Sequence, residues 1–224
     1  MFPLYDTVRS NKFPLINLTL IAANSLAFLY EIRMDESTLQ AFILTWGLIP
    51  STFVSDPSSA WINILTSMFL HGGWFHVINN MWVLFIFGDN IEARLGGIRY
   101  LIFYLLAGAA AGLLQIFVLP SSHVPMIGAS GAVAGVLGAY LILYPRSRVA
   151  SLVPILFVFT LIEIPAFVYL LFWFVSQLYS GVFAIQGGGG SGIAWWAHIG
   201  GFIFGVVMVS FFAVKRRTKY DSWQ

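Results

Sequence analysis

Apolar residues run in long stretches along this chain, and short polar segments separate the stretches. A transmembrane helix needs roughly 20 predominantly apolar residues to cross the hydrocarbon core of a bilayer. We predict six spans, at residues 14–32, 76–93, 99–119, 130–144, 151–181 and 195–214. The pattern therefore predicts an all-α polytopic membrane protein, in which residues 1–224 form a single domain because no low-complexity tract divides them.

The composition agrees with this class and excludes several kinds of site. Of the 224 residues, 59% are hydrophobic and 9% are charged, whereas a soluble domain carries about 25% charged residues. The net charge of +2 comes from short basic clusters between apolar stretches, which gives no indication of nucleic-acid binding. The chain contains no cysteine, so disulfides, thiolate metal sites and a cysteine nucleophile are excluded.

The basic residues indicate how the spans are oriented. If both termini lie in the cytoplasm, ten of the eleven lysines and arginines fall on the inner side and only Arg33 falls outside. This distribution agrees with the positive-inside rule, and an odd number of spans would break the agreement. We therefore expect a multi-pass protein of the cell membrane with both termini inside.

Two connections are unusual. The first loop, from Met34 to Leu70, is long, and its apolar residues suggest that it lies on the membrane surface. The fourth span has only 15 residues, Ser130 to Tyr144, or roughly 22 Å of helix, which is shorter than the ~30 Å hydrocarbon core. The segment from Pro120 to Ala129 is therefore predicted to dip into the membrane. Irregular backbone at that depth requires protein packing or a water-filled cavity, so we expect Ser130 at the floor of a cavity.

Ser130 and His198 are candidates for a nucleophile and its base. A serine among glycines is often a packing residue, and a serine nucleophile needs a nearby base. His198 begins the sixth span at a similar outer depth, where an ionisable group suggests function. Stripes of small residues would let the fourth and sixth helices approach closely: Gly131, Gly135 and Ala139 on the fourth, and Ala197, Gly201 and Gly205 on the sixth.

His76 and Asn80 are candidates for stabilising an oxyanion. They are four residues apart and share one face of the second span, again on the outer side. A plain interhelical hydrogen-bond clasp is the alternative, and it is plausible for Asn80 alone. With the Ser130 backbone amide, they could hold the oxyanion of a tetrahedral intermediate. No acidic residue lies near this layer in the spans, so a dyad is favoured over a triad.

These motifs together resemble those of rhomboid intramembrane serine proteases. The motifs are His76-x-x-x-Asn80, Gly128-Ala129-Ser130-Gly131 and Ala197-His198-x-x-Gly201-x-x-x-Gly205. The resemblance covers nearly the whole chain, including six spans, a long first loop and a short fourth helix. His71 in the first loop and Glu92 at the inner end of the second span also match the family pattern, where both residues are structural.

The resemblance implies a fold, a reaction and a substrate class. Ser130 would attack the scissile carbonyl, His198 would act as general base and then general acid, and His76, Asn80 and the Ser130 amide would hold the oxyanion. The motif residues Gly128, Gly131, Ala197, Gly201 and Gly205 would support the site. Substrates would be transmembrane helices cut near their outer end, and neither a cofactor nor a metal is implied.

The chain departs from the family pattern in three places. Many rhomboids carry an aromatic residue four positions after the serine, and here that position is Ala134. Another ring, such as Trp196 or Phe202, would then support His198, or the base is held less rigidly. The first loop lacks the usual tryptophan–arginine pair, and Ile193 stands where a glycine is common.

Two segments are candidates for controlling access to the site. By the resemblance, the aromatic-rich fifth span would be a lateral gate that admits a substrate helix, whereas each of its rings taken alone is more typical of a lipid-facing or packing surface. Glu163 within this span has no obvious partner. The segment from Gly187 to Gly192 is either a lid over His198 or a plain linker.

The sequence argues against two other classes of intramembrane protease and leaves one further function open. A zinc protease would carry a His-Glu-x-x-His helix, and an aspartyl type would need two aspartates in facing spans; neither pattern is present. An inactive rhomboid-like scaffold or chaperone that binds transmembrane helices stays open as the alternative. A small transporter would predict related halves, and residues 1–112 and 113–224 show no repeat.

Overall fold

The computed structural model describes residues 1–155, 158–185 and 192–214. In these residues the helices are α1 (Leu15–Glu31), α2 (Glu36–Trp46), α3 (Pro50–Ser55), α4 (Pro57–Ala60), α5 (Asn63–Thr66), α6 (Trp74–Leu95), α7 (Gly97–Val118), α8 (Ser130–Leu143), α9 (Ala166–Ile185) and α10 (Trp195–Phe212). The strands are β1 (Phe2–Asp6), β2 (Arg148–Ile155) and β3 (Val158–Pro165). The segment from Gly187 to Ser191, part of the predicted lid or linker, lies outside the described residues.

Five of the six predicted spans coincide with a helix to within two residues at each end, namely α1, α6, α7, α8 and α10. Among the described residues, three helices are both long and apolar enough to cross a bilayer: α7, α9 and α10. The helices α1 and α8 are apolar but shorter. The first loop is not irregular, because α2 to α5 and a short 3-10 turn at Ser67–Phe69 occupy most of it.

The fifth predicted span is wrong in its first half, and with it the all-α fold class. Residues 148–155 and 158–165 form the antiparallel strands β2 and β3, and α9 begins only at Ala166. The strand order is β1-β2-β3, with both pairs antiparallel, so the N-terminal strand completes a three-stranded sheet. Glu163 consequently lies not inside a span but on β3, where it is exposed and opposite Ala150.

The composition of this segment explains the difference. A continuous apolar run does not distinguish a strand from a buried helix by its periodicity. Residues 148–165 are rich in β-branched and aromatic side chains, which favour strands, and Pro154 would interrupt a helix interior. β1 pairs with β2 only at residues 149–152. One edge of β2 is therefore free at Pro154, and a free edge tolerates proline.

The sheet is anchored to the helices through β1. The Asp6 carboxylate accepts hydrogen bonds from Tyr140 Oη on α8 at 2.5 Å and from Asn90 Nδ2 on α6 at 2.8 Å. Near the start of the same strand, Trp82 Nε1 on α6 donates to the Pro3 carbonyl at 2.7 Å. Because β3 continues directly into α9, the same sheet also holds the first residue of that helix in place.

Glu92 on α6 caps the start of α1. Its two carboxylate oxygens accept from the backbone N–H groups of Ile16 at 3.1 Å and Asn17 at 2.7 Å. Amides in the first turn of a helix have no partner within the helix, and Pro14, the residue before α1, provides no side-chain cap. This contact agrees with the structural role that the family resemblance implies for Glu92.

The first loop holds the segment that precedes α8. Leu48 and Met126 exchange two backbone hydrogen bonds, of 3.0 and 2.8 Å, and the Gly128 N–H donates to the Ser67 carbonyl at 2.8 Å. The polar backbone of residues 120–129 is thus partly paired within the protein, as a segment below the membrane surface would require. These contacts fix the position from which α8 starts.

Candidate active site

The helices α8 and α10 approach closely at the glycines that the sequence singles out. A Cβ added to Gly201 would lie 1.9 Å from the Gly131 carbonyl oxygen, and one added to Gly205 would lie 2.0 Å from the Gly135 oxygen. No side chain can occupy either position without separating the helices. The predicted packing of the two small-residue stripes is therefore confirmed.

This packing brings Ser130 and His198 into direct contact. Ser130 is the first residue of α8 and His198 is the fourth of α10, and Ser130 Oγ lies 2.8 Å from His198 Nε2. That separation is a normal hydrogen-bond length, and it is the contact that a nucleophile and its base require. The two residues that the sequence pairs by depth are thus neighbours in the structure.

Residues of α9 and the start of α10 surround the other side of the His198 ring. Its Nδ1 lies 2.8 Å from Gln177 Oε1, and the rings of Trp173 and Trp195 each have their centroid 6.1 Å from the imidazole centroid. Other rings thus support His198 in place of the aromatic residue missing at Ala134, as the sequence suggests, but they are Trp173 and Trp195 and not the examples Trp196 and Phe202. Phe202 packs against the Trp173 ring, with ring centroids 5.8 Å apart.

His76 lies against the glycine that precedes the nucleophile. Gly128 has a φ of +118°, and a Cβ added there would lie 2.5 Å from His76 Nε2, so both the backbone conformation and the space require glycine. The Gly72 N–H approaches His76 Nδ1 at 3.5 Å. This long contact favours the tautomer that carries its proton on Nε2, the nitrogen beside Gly128.

Asn80 has an unpaired donor in this region. It is buried, and its Nδ2 has no hydrogen-bond partner among the described residues. Buried donors are nearly always paired, and an unpaired one needs an explanation. The amide lies 3.6 Å from the position that a Cβ on Gly128 would occupy, close to the start of α8, where the first backbone amides also lack partners within the helix.

A cavity of about 490 Å³ joins these side chains. Its lining includes His76, Asn80, Gln115, Ser130 and His198, together with residues of the segment before α8. Gln115 also accepts a hydrogen bond from the Ala197 N–H at 3.2 Å, which caps the start of α10 just before His198. The structure thus places all four predicted side chains of the site around one cavity.

Of the two remaining histidines, neither lines the cavity, although the His71 ring lies beside the His76 ring with centroids 5.1 Å apart. His71 is buried, and its backbone N–H donates to the Glu31 carboxylate at 3.0 Å. Burial lowers the pKa of the His71 imidazole to about 4. This arrangement agrees with a structural role. His123 forms a second serine–histidine contact, 2.9 Å from Ser51 Oγ, but this contact is exposed and connects α3 with the segment before α8.

Gln177 and Gln115 were not singled out in the sequence. Each is an amide inside an apolar helix, and polar residues within membrane helices tend to face the protein interior, which was the available signal. Their partners could not be derived from it, because the rotation of α7 and α9 about their axes depends on the packing of the whole bundle.

Comparison with known proteins places the chain in a family. A family model described as the rhomboid domain matches residues 58–215. Rhomboid-like protein 11, chloroplastic, of Arabidopsis thaliana is 33% identical over 113 residues, which are 50% of this chain and 40% of that protein. Presenilin-associated rhomboid-like protein, mitochondrial, of Homo sapiens is 32% identical over 146 residues, 63% of this chain and 36% of that protein.

A third relative, rhomboid protein 1, mitochondrial, of Saccharomyces cerevisiae, is 29% identical over 122 residues, 53% of this chain and 33% of that protein. The matches thus cover 40% or less of the length of these relatives. The family model, in contrast, covers most of this chain, from α5 to α10 and with them every residue that lines the cavity. Together with its apolar helices, this match identifies the chain as a multi-pass membrane protein of the rhomboid family.

Proposed function

We propose that this chain is an intramembrane serine endopeptidase that hydrolyses peptide bonds in or near the transmembrane segments of other membrane proteins. The observation that carries the proposal is the 2.8 Å contact between Ser130 Oγ and His198 Nε2 at the edge of a 490 Å³ cavity. Family membership supports the same reaction class. The reaction needs neither a metal nor an organic cofactor, because the serine, the histidine and water supply its chemistry.

The reaction proceeds through an acyl-enzyme. Ser130 Oγ attacks the carbonyl carbon of the scissile bond while its proton passes to His198 Nε2. The tetrahedral intermediate then collapses, the C–N bond breaks, and His198 returns the proton to the leaving amine. In the second half, water gives a proton to His198 and attacks the ester, and Ser130 leaves with that proton to restore the starting state.

The oxyanion of each intermediate needs donors that are fixed in advance. The unpaired Asn80 Nδ2, the His76 Nε2–H and the Ser130 backbone amide are the donors that we assign to it. The first of these is supported by its lack of any other partner among the described residues. Gly131, Ala197, Gly201 and Gly205 hold the two reacting helices at the required separation, and Gly128 leaves space for His76.

The substrate class follows from the position of the site. A helical peptide hides its carbonyls in its own hydrogen bonds, so a transmembrane substrate must unwind locally before attack. A cavity at the outer ends of six spans would receive such a segment from the bilayer and supply the water for hydrolysis. We place the protein in the cell membrane with both termini inside and the cavity open to the outer side, by the distribution of basic residues.

A cleavage assay with purified protein in lipid tests the proposal. The native chain, Ser130→Ala and His198→Ala are each incubated with a panel of tagged single-span substrates, and Ser51→Ala and His123→Ala serve as controls because they break the other serine–histidine contact. We expect both site variants to lose at least about a thousandfold in kcat/KM, with both controls active. If the native chain cleaves no better than Ser130→Ala but still captures the substrates, it is a rhomboid-like scaffold.

A further inference from the structure

We propose that Gln177 is a positioning residue that fixes the proton of His198 on Nδ1 and so leaves Nε2 free to accept the proton of Ser130. The inference rests on the proposed protease function and adds a third member to the predicted dyad. Its basis is the 2.8 Å contact between Gln177 Oε1 and His198 Nδ1, on the side of the ring opposite Ser130.

The direction of this hydrogen bond follows from a neighbouring one. Ser176 Oγ donates its single proton to the Trp173 carbonyl at 2.5 Å. Towards Gln177, at 3.0 Å, the Ser176 oxygen can therefore only accept, so the amide must present its NH₂ group there. The carbonyl oxygen of Gln177 then faces His198, and an oxygen that only accepts requires a proton on Nδ1.

A fixed tautomer matters because only one form of neutral imidazole can act as the base. When Nδ1 carries the proton, Nε2 has a lone pair directed at Ser130 Oγ; in the other tautomer, Nε2 would itself be a donor. In serine proteases an aspartate makes this selection. Here the amide makes it without adding a charge, which suits a side chain that is buried within an apolar helix.

The surrounding rings restrict the same imidazole. Trp173 is tilted by 33° and Trp195 stands at 88° to the ring plane, so planar groups bound His198 on two sides. The hydrogen bond to Gln177 then fixes the rotation of the imidazole ring between these two tryptophans. Trp173, Gln177 and the hydrogen-bond partner of Gln177, Ser176, all lie in one five-residue stretch of α9. Many rhomboids carry an aromatic residue at the position of Ala134 on α8. Here side chains of α9 support the imidazole instead.

The first test reads the tautomer directly in the resting protein. The ring nitrogens are observed by ¹⁵N NMR after histidine labelling; the chain has four histidines, and the His198→Ala spectrum identifies the signals of His198. We expect a protonated Nδ1 and an unprotonated Nε2 in the native protein. In Gln177→Leu the signals should shift towards a mixture of tautomers, and Ser176→Ala should shift them in the same direction.

The second test uses cleavage kinetics. Gln177→Leu should lower kcat by roughly 10–100-fold, as loss of an orienting partner does for other histidines, while KM stays within about twofold. Gln177→Glu keeps an acceptor oxygen and should recover part of kcat. A carboxylate there favours the imidazolium form, so the acid limb of its pH–rate profile should move to higher pH. Gln40→Leu, an exposed glutamine on α2, is the control for the substitution itself.

The two tests separate this inference from the protease proposal. If the native protein has its proton on Nε2, or if Gln177→Leu leaves both the ring signals and kcat unchanged, Gln177 does not position the base, whatever the protein cleaves. The inference also fails if Gln177→Glu is no more active than Gln177→Leu. If no substrate is cleaved, the NMR result still decides whether Gln177 selects the tautomer. Should Gln177→Leu not fold, Ser176→Ala provides the same readout.

Discussion

At the scale of single residues, Asn80 combines two properties that rarely occur together. Its side chain is buried, yet its amide nitrogen has no partner among the described residues. Leaving a buried donor unpaired costs about 1–3 kcal/mol. Such a cost is typical of functional sites, where a group is kept ready for a charge that develops only during the reaction.

Replacing Asn80 should therefore separate activity from stability. We expect Asn80→Leu to lower kcat by about 100–1,000-fold, the usual loss for one oxyanion donor, and to leave the melting temperature unchanged or raise it. Cleavage kinetics and thermal unfolding in the same lipid or detergent measure the two effects.

Asn63 provides the matched contrast for this experiment. Its Nδ2 donates to the carbonyls of Thr45 at 3.0 Å and Gly47 at 2.8 Å, and none of these three residues lines the cavity. Asn63→Leu should therefore lower the melting temperature and leave kcat almost unchanged. A stability loss in Asn80→Leu as large as that in Asn63→Leu, with kcat retained, would mean that Asn80 is a structural clasp.

The individual residues of the site differ in how far the sequence predicts them. Ser130, His198, His76 and Asn80 can be grouped because helical rise gives the depth of each residue from the end of its span. Depth alone does not give rotation about the helix axis. Gln177 lies about twelve residues into α9, in a helix whose polar residues form no clear stripe, so its contact with His198 required the structure.

At the scale of elements, the pairing of α8 with α10 determines whether the reacting groups meet. The contact depends on backbone approach at Gly201 and Gly205, where added Cβ atoms would lie 2.0 Å or less from carbonyl oxygens of α8. Backbone atoms cannot move aside as a flexible side chain can. A single methyl group at Gly201 must therefore push the two helices apart.

We expect Gly201→Ala to reduce kcat/KM by at least about tenfold, because a displacement near 1 Å is enough to misplace a catalytic pair. The ¹⁵N signals of His198 should change as well, since its partner Ser130 moves with α8. Ile203→Ala is the control on the exposed side of α10. Full activity in Gly201→Ala would show that the helices tolerate a wider separation than the contact between Ser130 and His198 implies.

The sheet is the element that the sequence does not predict. Residues 148–165 are apolar enough to be taken for part of a span, and only pairing with β1, more than 140 residues earlier in the chain, reveals that residues 148–155 and 158–165 are strands. Propensity within the segment is compatible with both structures. The long-range partner decides between them, and Asp6 secures that partner to α6 and α8.

The Asp6 anchor should give stability a distinctive pH dependence. Burial raises the pKa of this carboxyl from 3.8 to about 6, against hydrogen bonds from Tyr140 and Asn90 that lower it. A raised folded-state pKa means that the group stabilises the fold most below pH 3.8 and that this contribution is lost as the pH rises towards 6. The melting temperature should therefore decline across that window in the native chain.

Asp6→Asn should make this decline in melting temperature shallower, because an amide does not ionise. Thermal unfolding between pH 3.5 and roughly 7 measures the effect, and Asp56→Asn is the control. Hydrogen bonds from Ser58 and Ser59 lower the pKa of that exposed carboxyl, so it titrates below the window and its removal should leave the decline in place. If the melting temperature falls equally steeply with pH in the native chain and in Asp6→Asn, the ionisation of Asp6 does not cause the decline.

At the scale of the whole molecule, the short helix α8 is explained by its place in the bundle. The residues from Gly131 to Tyr140 are all buried, and α8 contacts α6, α7, α9 and α10. A helix that is enclosed by longer ones does not need to match the thickness of the hydrocarbon core. Because α8 begins only at Ser130, the cavity can reach the side chain of this residue.

The arrangement of the whole chain across the membrane is a prediction that cysteine labelling can test. The native chain contains no cysteine, so single substitutions provide unambiguous sites. With six spans and both termini inside, Ser58→Cys and Ser191→Cys should react with a membrane-impermeant maleimide on intact cells. Asn11→Cys and Arg146→Cys should react only after the membrane is opened, because they precede and follow the first four spans on the inner side.

The four positions together test the first five of the six predicted crossings. One crossing separates residue 11 from residue 58, three separate residue 58 from residue 146, and one separates residue 146 from residue 191. Labelling of Arg146→Cys from outside would mean that one of α6, α7 and α8 does not cross. We would then first examine α8, because it has 14 residues whereas α6 and α7 have 22 each. Cleavage activity measured on each variant verifies that the labelled protein retains its native fold.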